Sequence, residues 1–115
     1  RYYADWDWEE DTHMVWRHAQ PGDTLLLRFL SSVAIPDVTL ELQLTQSGNY
    51  GIVTLSVNES EQVTFDGYAP EIQVEILEME NVSIKDGWNT LSVRIQGKNP
   101  KATAHVFGID YLKVK

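Results

Sequence analysis

Apolar and polar residues alternate with a period of two along most of the chain from residue 23 onward. Stretches such as DTLLLRF, DVTLELQL and NTLSVRI repeat this pattern, which is typical of β-strands with one face toward a core and one toward water. The residues predicted to face the core are Leu25, Leu27, Phe29, Val38, Leu40, Leu42, Leu44, Val53, Leu55, Val57, Val63, Phe65, Ile72, Val74, Ile76, Leu91, Val93 and Ile95.

The final apolar run, HVFGIDYLKVK, changes parity along its length. Phe107, Ile109 and Tyr111 share one parity, whereas Leu112 and Val114 have the other, so we expect either a bulge or a strand covered on both faces. Turn signals such as PGD, SGNYG, DGYAP and GKNPK separate the runs, and no stretch predicts a long amphipathic helix. The pattern therefore predicts one all-β domain over residues 1–115, an antiparallel β-sandwich or jelly roll of about eight or nine strands.

Charge and composition limit the classes of molecule that the chain is expected to bind. Nine Lys and Arg against 17 Asp and Glu give a net charge of −8, which repels phosphate backbones and anionic lipids, so neither nucleic acid nor a membrane is expected to bind. The absence of cysteine excludes disulfides and thiolate metal sites. The chain begins at Arg1 without the pattern of a signal peptide, and we expect a processed piece of a larger protein.

Glutamates are frequent in the stretch EIQVEILEMEN. They are predicted to mark a solvated strand at the edge of a sheet, where charged side chains keep the edge from pairing with other chains. These residues are Glu71, Glu75, Glu78 and Glu80.

Catalytic and zinc sites find little support in the residue pattern. His13 and His18 have opposite parity, so in a regular strand they point away from each other and form no simple zinc pair. No serine lies in the context of a nucleophile elbow. Seventeen acids produce chance pairs of the glycosidase kind, but so small a domain seldom supplies both a groove and a desolvated acid. We therefore expect no enzymatic activity.

Several motifs, taken in order, carry a resemblance to a known family. They are WRHAQPGDTLLLRF, GNYGIVTLSVN, VTFDGYAP, GWNTLSVRIQGKNP and FGIDYLKV, and they span about Trp16 to Val114. This series resembles the galactose-binding-like jelly-roll domains, similar to carbohydrate-binding modules, that are attached to bacterial polysaccharide-degrading enzymes. The resemblance implies a glycan-binding or architectural module, a covalently linked catalytic domain, and an extracellular location, secreted or at the cell surface.

The same resemblance implies a structural calcium ion and no other cofactor. Related modules hold calcium between an N-terminal strand of the type E-A-E and an aspartate of a final D-Y-[IL] strand. Asp110 in GIDYL matches the second half of this pattern, whereas the E-A-E run is absent. The acidic residues available near the start are Asp5, Asp7, Glu9, Glu10 and Asp11.

Aromatic residues are the candidates for sugar binding, because the C–H faces of sugar rings stack on Trp and Tyr while the hydroxyls need polar partners. Trp6 and Trp8 share parity in DWDW and either line a binding face or cover the core. Trp16 is either a core plug or the floor of a cleft. Tyr50 and Tyr68 lie in loops, where they either bind sugar or plug the end of the sandwich.

Trp88 follows a turn and is predicted to cap the core. The polar residues predicted to accompany the aromatic rings are Arg17, Asn49, Asp66, Asn99 and His105.

Two functions follow from these residues. The first is a non-catalytic carbohydrate-binding module that targets a parent enzyme to a polysaccharide by aromatic stacking and polar contacts. The alternative is a structural or oligomerisation domain of a glycoside hydrolase, in which the same aromatics bury against a neighbouring domain or subunit.

Overall fold

Nine strands form in the computed structural model, which describes residues 2–5, 14–58 and 60–115. No part of the described chain folds into an apolar helix of membrane-spanning length. The strands are β1 (Tyr2–Asp5), β2 (Met14–Trp16), β3 (Thr24–Ser31), β4 (Ile35–Gln46), β5 (Ile52–Val57), β6 (Val63–Asp66), β7 (Gln73–Ile84), β8 (Gly87–Gly97) and β9 (Phe107–Val114).

The strands form two sheets, in the orders β1-β3-β8-β5-β6 and β2-β9-β4-β7. Without β1, each sheet has four strands, and most neighbours are distant in sequence, which is the arrangement of a jelly roll. All named pairings are antiparallel except that of β1 with β3, which is parallel. The predicted antiparallel β-sandwich is thus confirmed, with one added parallel strand.

The core lies between the two sheets and follows the predicted parity. Leu27 and Phe29 of β3 and Leu42 of β4 belong to different sheets, and all three are fully buried in one core cluster. Burying one such side chain contributes about 1.5–3 kcal/mol, so the interior faces of the sheets supply most of the driving force for folding.

The start of β7 departs from the prediction. Ile72, Val74 and Ile76, here named the β7 apolar row, were expected to face the core but are 81%, 53% and 44% exposed. The reason is register, because Leu77 and Met79 of β7 pair with the buried Leu42 and Leu40 of β4. Over a regular stretch a strand directs only one parity inward, so Val74 and Ile76 face outward. A register shift between Met79 and Val82 then reverses the parity, which is why Ile84 is buried. Strand β7 does lie at a sheet edge among the described strands, as its glutamates predict.

The change of parity in β9 is a bulge, one of the two predicted alternatives. Gln43 of β4 pairs with Tyr111 while its neighbour Leu44 pairs with Ile109, which leaves Asp110 as the extra residue. The Gln43 amide Nε2 donates a hydrogen bond of 2.8 Å to Asp110 Oδ2. The bulge lets Ile109 and Leu112 both reach the core.

Four loops meet at one end of the sandwich, because β2, β4, β6 and β8 end there and β3, β5, β7 and β9 begin there. Backbone hydrogen bonds join these loops, for instance from Gly51 N to Val106 O (2.9 Å) and from Ser47 N to Gly67 O (3.1 Å). We call this region the loop end; it comprises residues 17–23, 47–51, 67–72 and 98–106.

Two isoleucines of β7 test the observed register. Ile84→Ala removes a side chain that is 3% exposed and is expected to lower the free energy of unfolding by about 2–5 kcal/mol, since a cavity replaces it. Ile76→Ala deletes the same atoms from the outward row and is expected to cost at most about 1 kcal/mol. Urea unfolding of both variants measures the difference. An equal decrease in the free energy of unfolding for the two variants would contradict the observed register.

Candidate functional site

An open cavity of about 460 Å³ lies at the loop end. Arg17 and His18 line it from the first loop, Asn49 from the second, and His105 from the fourth. A second cavity of about 230 Å³ shares Arg17 and Asn49 with it and reaches Tyr50. The larger volume lies within the range typical of small-molecule sites, which is about 300–1,000 Å³. We call the two together the loop-end cavity.

The cavity brings together four of the residues predicted from sequence to bind sugar, namely Arg17, Asn49, Tyr50 and His105. They are up to 88 positions apart in the chain and meet only because the jelly roll places its loops side by side. Apolar side chains, including Ala19, and further polar ones, including Gln20, complete the wall. The arrangement offers hydrogen-bond donors and acceptors around an aliphatic surface.

Tyr50 is buried, with 8% of its surface exposed. Its ring lies on Gly108, where a Cβ atom would come within 3.0 Å of the Tyr50 Oη and 3.1 Å of Cε2. Burial raises the pKa of the Tyr50 phenol, and the nearby charge of Arg17 opposes this rise. The ring therefore has no open face for stacking, and Tyr50 fits the alternative of a plug at the end of the sandwich, with one side bordering the smaller cavity.

Close contacts between loop backbones fix the cavity walls. A Cβ atom on Gly67 would lie 2.8 Å from the Gly51 carbonyl oxygen, and one on Gly51 would lie 3.0 Å from the His105 Cα. Backbone hydrogen bonds join the same loops, from Gly67 N to Gly51 O (3.0 Å) and from Val106 N to Asn49 O (3.0 Å). The loops that carry Asn49 and His105 are thus packed against each other without intervening side chains.

Asp66, Tyr68 and Asn99 form a separate group at the loop end. The Asn99 Nδ2 donates to Asp66 Oδ2 at 3.1 Å, and the Tyr68 backbone N–H donates to Asp66 Oδ1 at 2.9 Å. The first bond joins two loops and the second lies within one turn, and none of the three residues borders the loop-end cavity. The Asp66 carboxylate therefore supports the loops, and a direct role of this group in sugar binding stays a prediction.

The remaining predicted residues divide between the core and the N-terminal segment. Trp16 is half-buried and packs against the core, as expected of a plug. Trp6 and Trp8 lie outside the described residues, so their role stays a prediction.

The expected calcium site has one describable ligand. Asp110 Oδ2 accepts the hydrogen bond from Gln43, and the described side chains contain no cluster of three ligating groups. The acidic side chains expected to complete the site, those of Asp5, Asp7, Glu9, Glu10 and Asp11, lie outside the described part of the molecule. Calcium therefore stays a prediction.

Trp88 corrects an expectation, because it does not cap the core but is 48% exposed. The buried residues of β8 have odd numbers, and Asn89 takes the inward position at this end, accepting a hydrogen bond from Lys85 N at 2.8 Å. Trp88 therefore faces outward, with the Arg28 Cζ 4.6 Å from its ring centroid and Leu30 as its strand partner. This Trp88 surface (Arg28, Leu30 and Trp88) lies far from the loop end, and the parity of LSVRI could have revealed it.

Comparison with known proteins shows similarity of fold. No protein-family profile matches the chain, and no curated protein matches it. A solved structure of a xanthan lyase from Paenibacillus superposes with a TM-score of 0.62 at 15% sequence identity. The match covers 90% of this chain and 11% of the lyase chain. The sandwich is thus similar to a domain-sized part of a much longer polysaccharide lyase.

Two glycines test whether the loop backbones are as tightly packed as the contacts indicate. Gly67→Ala places a methyl group against the Gly51 carbonyl and is expected to destabilise the protein by about 1–3 kcal/mol. Gly97→Ala meets nothing within 4 Å and is expected to be neutral or stabilising by up to about 1 kcal/mol. Urea unfolding of both variants provides the comparison. A harmless Gly67→Ala would show that the loops are loosely packed.

Proposed function

We propose that the chain is a non-catalytic carbohydrate-binding module that holds a sugar in the loop-end cavity. The observation that carries this proposal is the convergence of Arg17, Asn49 and His105, from three separate loops, on one open cavity. Binding residues on β-sandwiches concentrate in loops because the sheets beneath hold them in place.

The cavity has the two kinds of surface that a sugar requires. Ala19, Ala104 and Val106 offer an aliphatic wall to the C–H face of a ring, and the amides of Gln20 and Asn49 suit its hydroxyl groups. The described side chains supply no exposed aromatic ring at the cavity, since Tyr50 is buried. We therefore propose that polar contacts, more than stacking, provide the affinity there, and that Trp6 and Trp8 are the residues that could add stacking.

Similarity to part of a polysaccharide lyase supports the proposal that this module belongs to a larger enzyme. The chain spans about a tenth of that enzyme's length, as an accessory domain would. We propose that this chain likewise belongs to a larger polysaccharide-degrading enzyme, is linked covalently to its catalytic domain, and acts outside the cell, where polymeric substrates are found.

A second candidate function rests on the β7 apolar row. Val74 and Ile76 lie exposed on the edge strand β7, and the exposed Ile72, which also lines the smaller cavity, directly precedes that strand. Contiguous exposed apolar residues are typical of interaction surfaces. A structural domain would use this row to pack against a neighbouring domain or a second copy. This alternative predicts association through β7 and requires no sugar.

Calorimetric titration with a panel of neutral and acidic polysaccharides tests the proposal. We expect binding by the native chain and an affinity about tenfold lower for Asn49→Ala, because one hydrogen bond is lost at the site. The Asn49 side chain makes no hydrogen bond within the described residues, so the substitution spares the fold.

Trp88→Ala is the matched control, since it removes the exposed ring of the other surface. Lost binding in Trp88→Ala with intact binding in Asn49→Ala would move the sugar site to the Trp88 surface. If no polysaccharide of the panel binds and light scattering shows a dimer, the structural alternative would be favoured.

A further inference from the structure

We propose that the loop-end cavity recognises a saccharide that bears a carboxylate, such as a uronic acid unit, and that Arg17 pairs with that carboxylate. This inference rests on the proposed function and specifies its ligand class.

The loop-end cavity differs in charge from the rest of the chain. The chain carries a net charge of −8, yet the cavity wall contains an arginine and two histidines, and no Asp or Glu borders either part of it among the described residues. Acids outnumber Lys and Arg in the chain by about two to one. Among the described residues, Arg17 is nevertheless the one Lys, Arg, Asp or Glu side chain that lines the cavity, which suits an anionic group.

Arg17 has no hydrogen-bonding or ion-pair partner among the residues that the structure describes. Lys113 and Lys115, by contrast, pair with Glu41 at 3.2 Å and with Glu78 at 2.8 Å. A guanidinium presents five N–H donors in a planar fork that matches both oxygens of a carboxylate, so Arg17 is available for a two-pronged contact.

The acids nearest to the cavity are already engaged elsewhere. Asp23 Oδ2 accepts the Gln20 backbone N–H at 3.0 Å, and Asp110 Oδ2 accepts the Gln43 amide at 2.8 Å. Asp66 holds the loops through the bonds described above. These three carboxylates accept bonds from backbone and amide donors, and none of them lines the loop-end cavity.

His18 has an unusual backbone conformation. Its φ of +62° lies in the left-handed region, which is unfavourable for a non-glycine residue. Glycine would adopt this conformation at less cost, so the histidine contributes through its side chain, which lines the cavity beside Arg17. An imidazole N–H from His18 or His105 supplies a further donor to a bound carboxylate or hydroxyl.

The overall charge limits which anionic ligand fits. A chain of net charge −8 repels a run of negative charges over about 8 Å at physiological salt, while the cavity attracts a single group at contact distance. The site therefore suits one carboxylate-bearing sugar at a time more than a densely charged polymer.

Calorimetric titration with oligosaccharides ending in glucuronate or galacturonate, and with the same compounds after carboxyl reduction to the neutral sugar, tests the inference. For the native chain we expect at least one acidic oligosaccharide to bind tenfold or more tightly than its reduced form. Arg17→Gln should bring the affinity for that acid down to that of the reduced form and leave the neutral affinity within about twofold, and Arg17→Lys should restore part of the loss.

Arg94→Gln is the matched control, since Arg94 is exposed on β8 away from the cavity and its loss changes the net charge equally. Equal effects of the two glutamine variants would overturn the role of Arg17. Equal affinity for the acids and their reduced forms would overturn the ligand class while leaving sugar binding intact. Absence of binding to every acidic and neutral saccharide would instead overturn the proposed function.

Discussion

The loop-end cavity depends on direct contact between backbones where Gly51, Gly67 and the segment at His105 meet. No side chain separates these loops, and the N–H groups of Gly51 and Gly67 are both used in bonds between them. Because buried backbone groups must be paired, the loops cannot separate without losing these bonds. Asn49 and His105 therefore sit on a preformed wall, and a ligand need not order the loops before it binds.

Three surfaces of the sandwich differ in the kind of side chain that they present. The loop end combines a cavity with the guanidinium of Arg17 and two imidazoles, the β7 apolar row is aliphatic, and the Trp88 surface is aromatic with a cation stacked on it. Only the first is concave and joins residues from several loops, which is the arrangement expected of a small-molecule site. A strand edge lined with Ile and Val fits contact with protein better than contact with a hydrated sugar.

Alternation of apolar residues was sufficient to predict most of the strands and the sandwich, because one buried face imposes a period of two. It predicted an irregularity in the last strand but left a bulge and a doubly covered strand as alternatives, and the pairing with β4 decides for a bulge at Asp110. The alternation failed at Ile72, Val74 and Ile76, where pairing of Met79 with Leu40 decides the face of β7. Arg17, Asn49 and His105 were predicted singly from residue type and position. Their convergence depends on sheet order, and the burial of Tyr50 depends on the space left by Gly108, which no local pattern encodes.

The central claim is that ligand binds at the loop end, and chemical-shift mapping of the ¹⁵N-labelled chain during titration with an acidic oligosaccharide tests it most directly. The account predicts shifts concentrated in the amides of residues 17–20, 47–51 and 103–106, with little change along β7 or around Trp88. Shifts centred on Trp88 and Leu30, or on Val74 and Ile76 of β7, with the loop end unchanged, would contradict it.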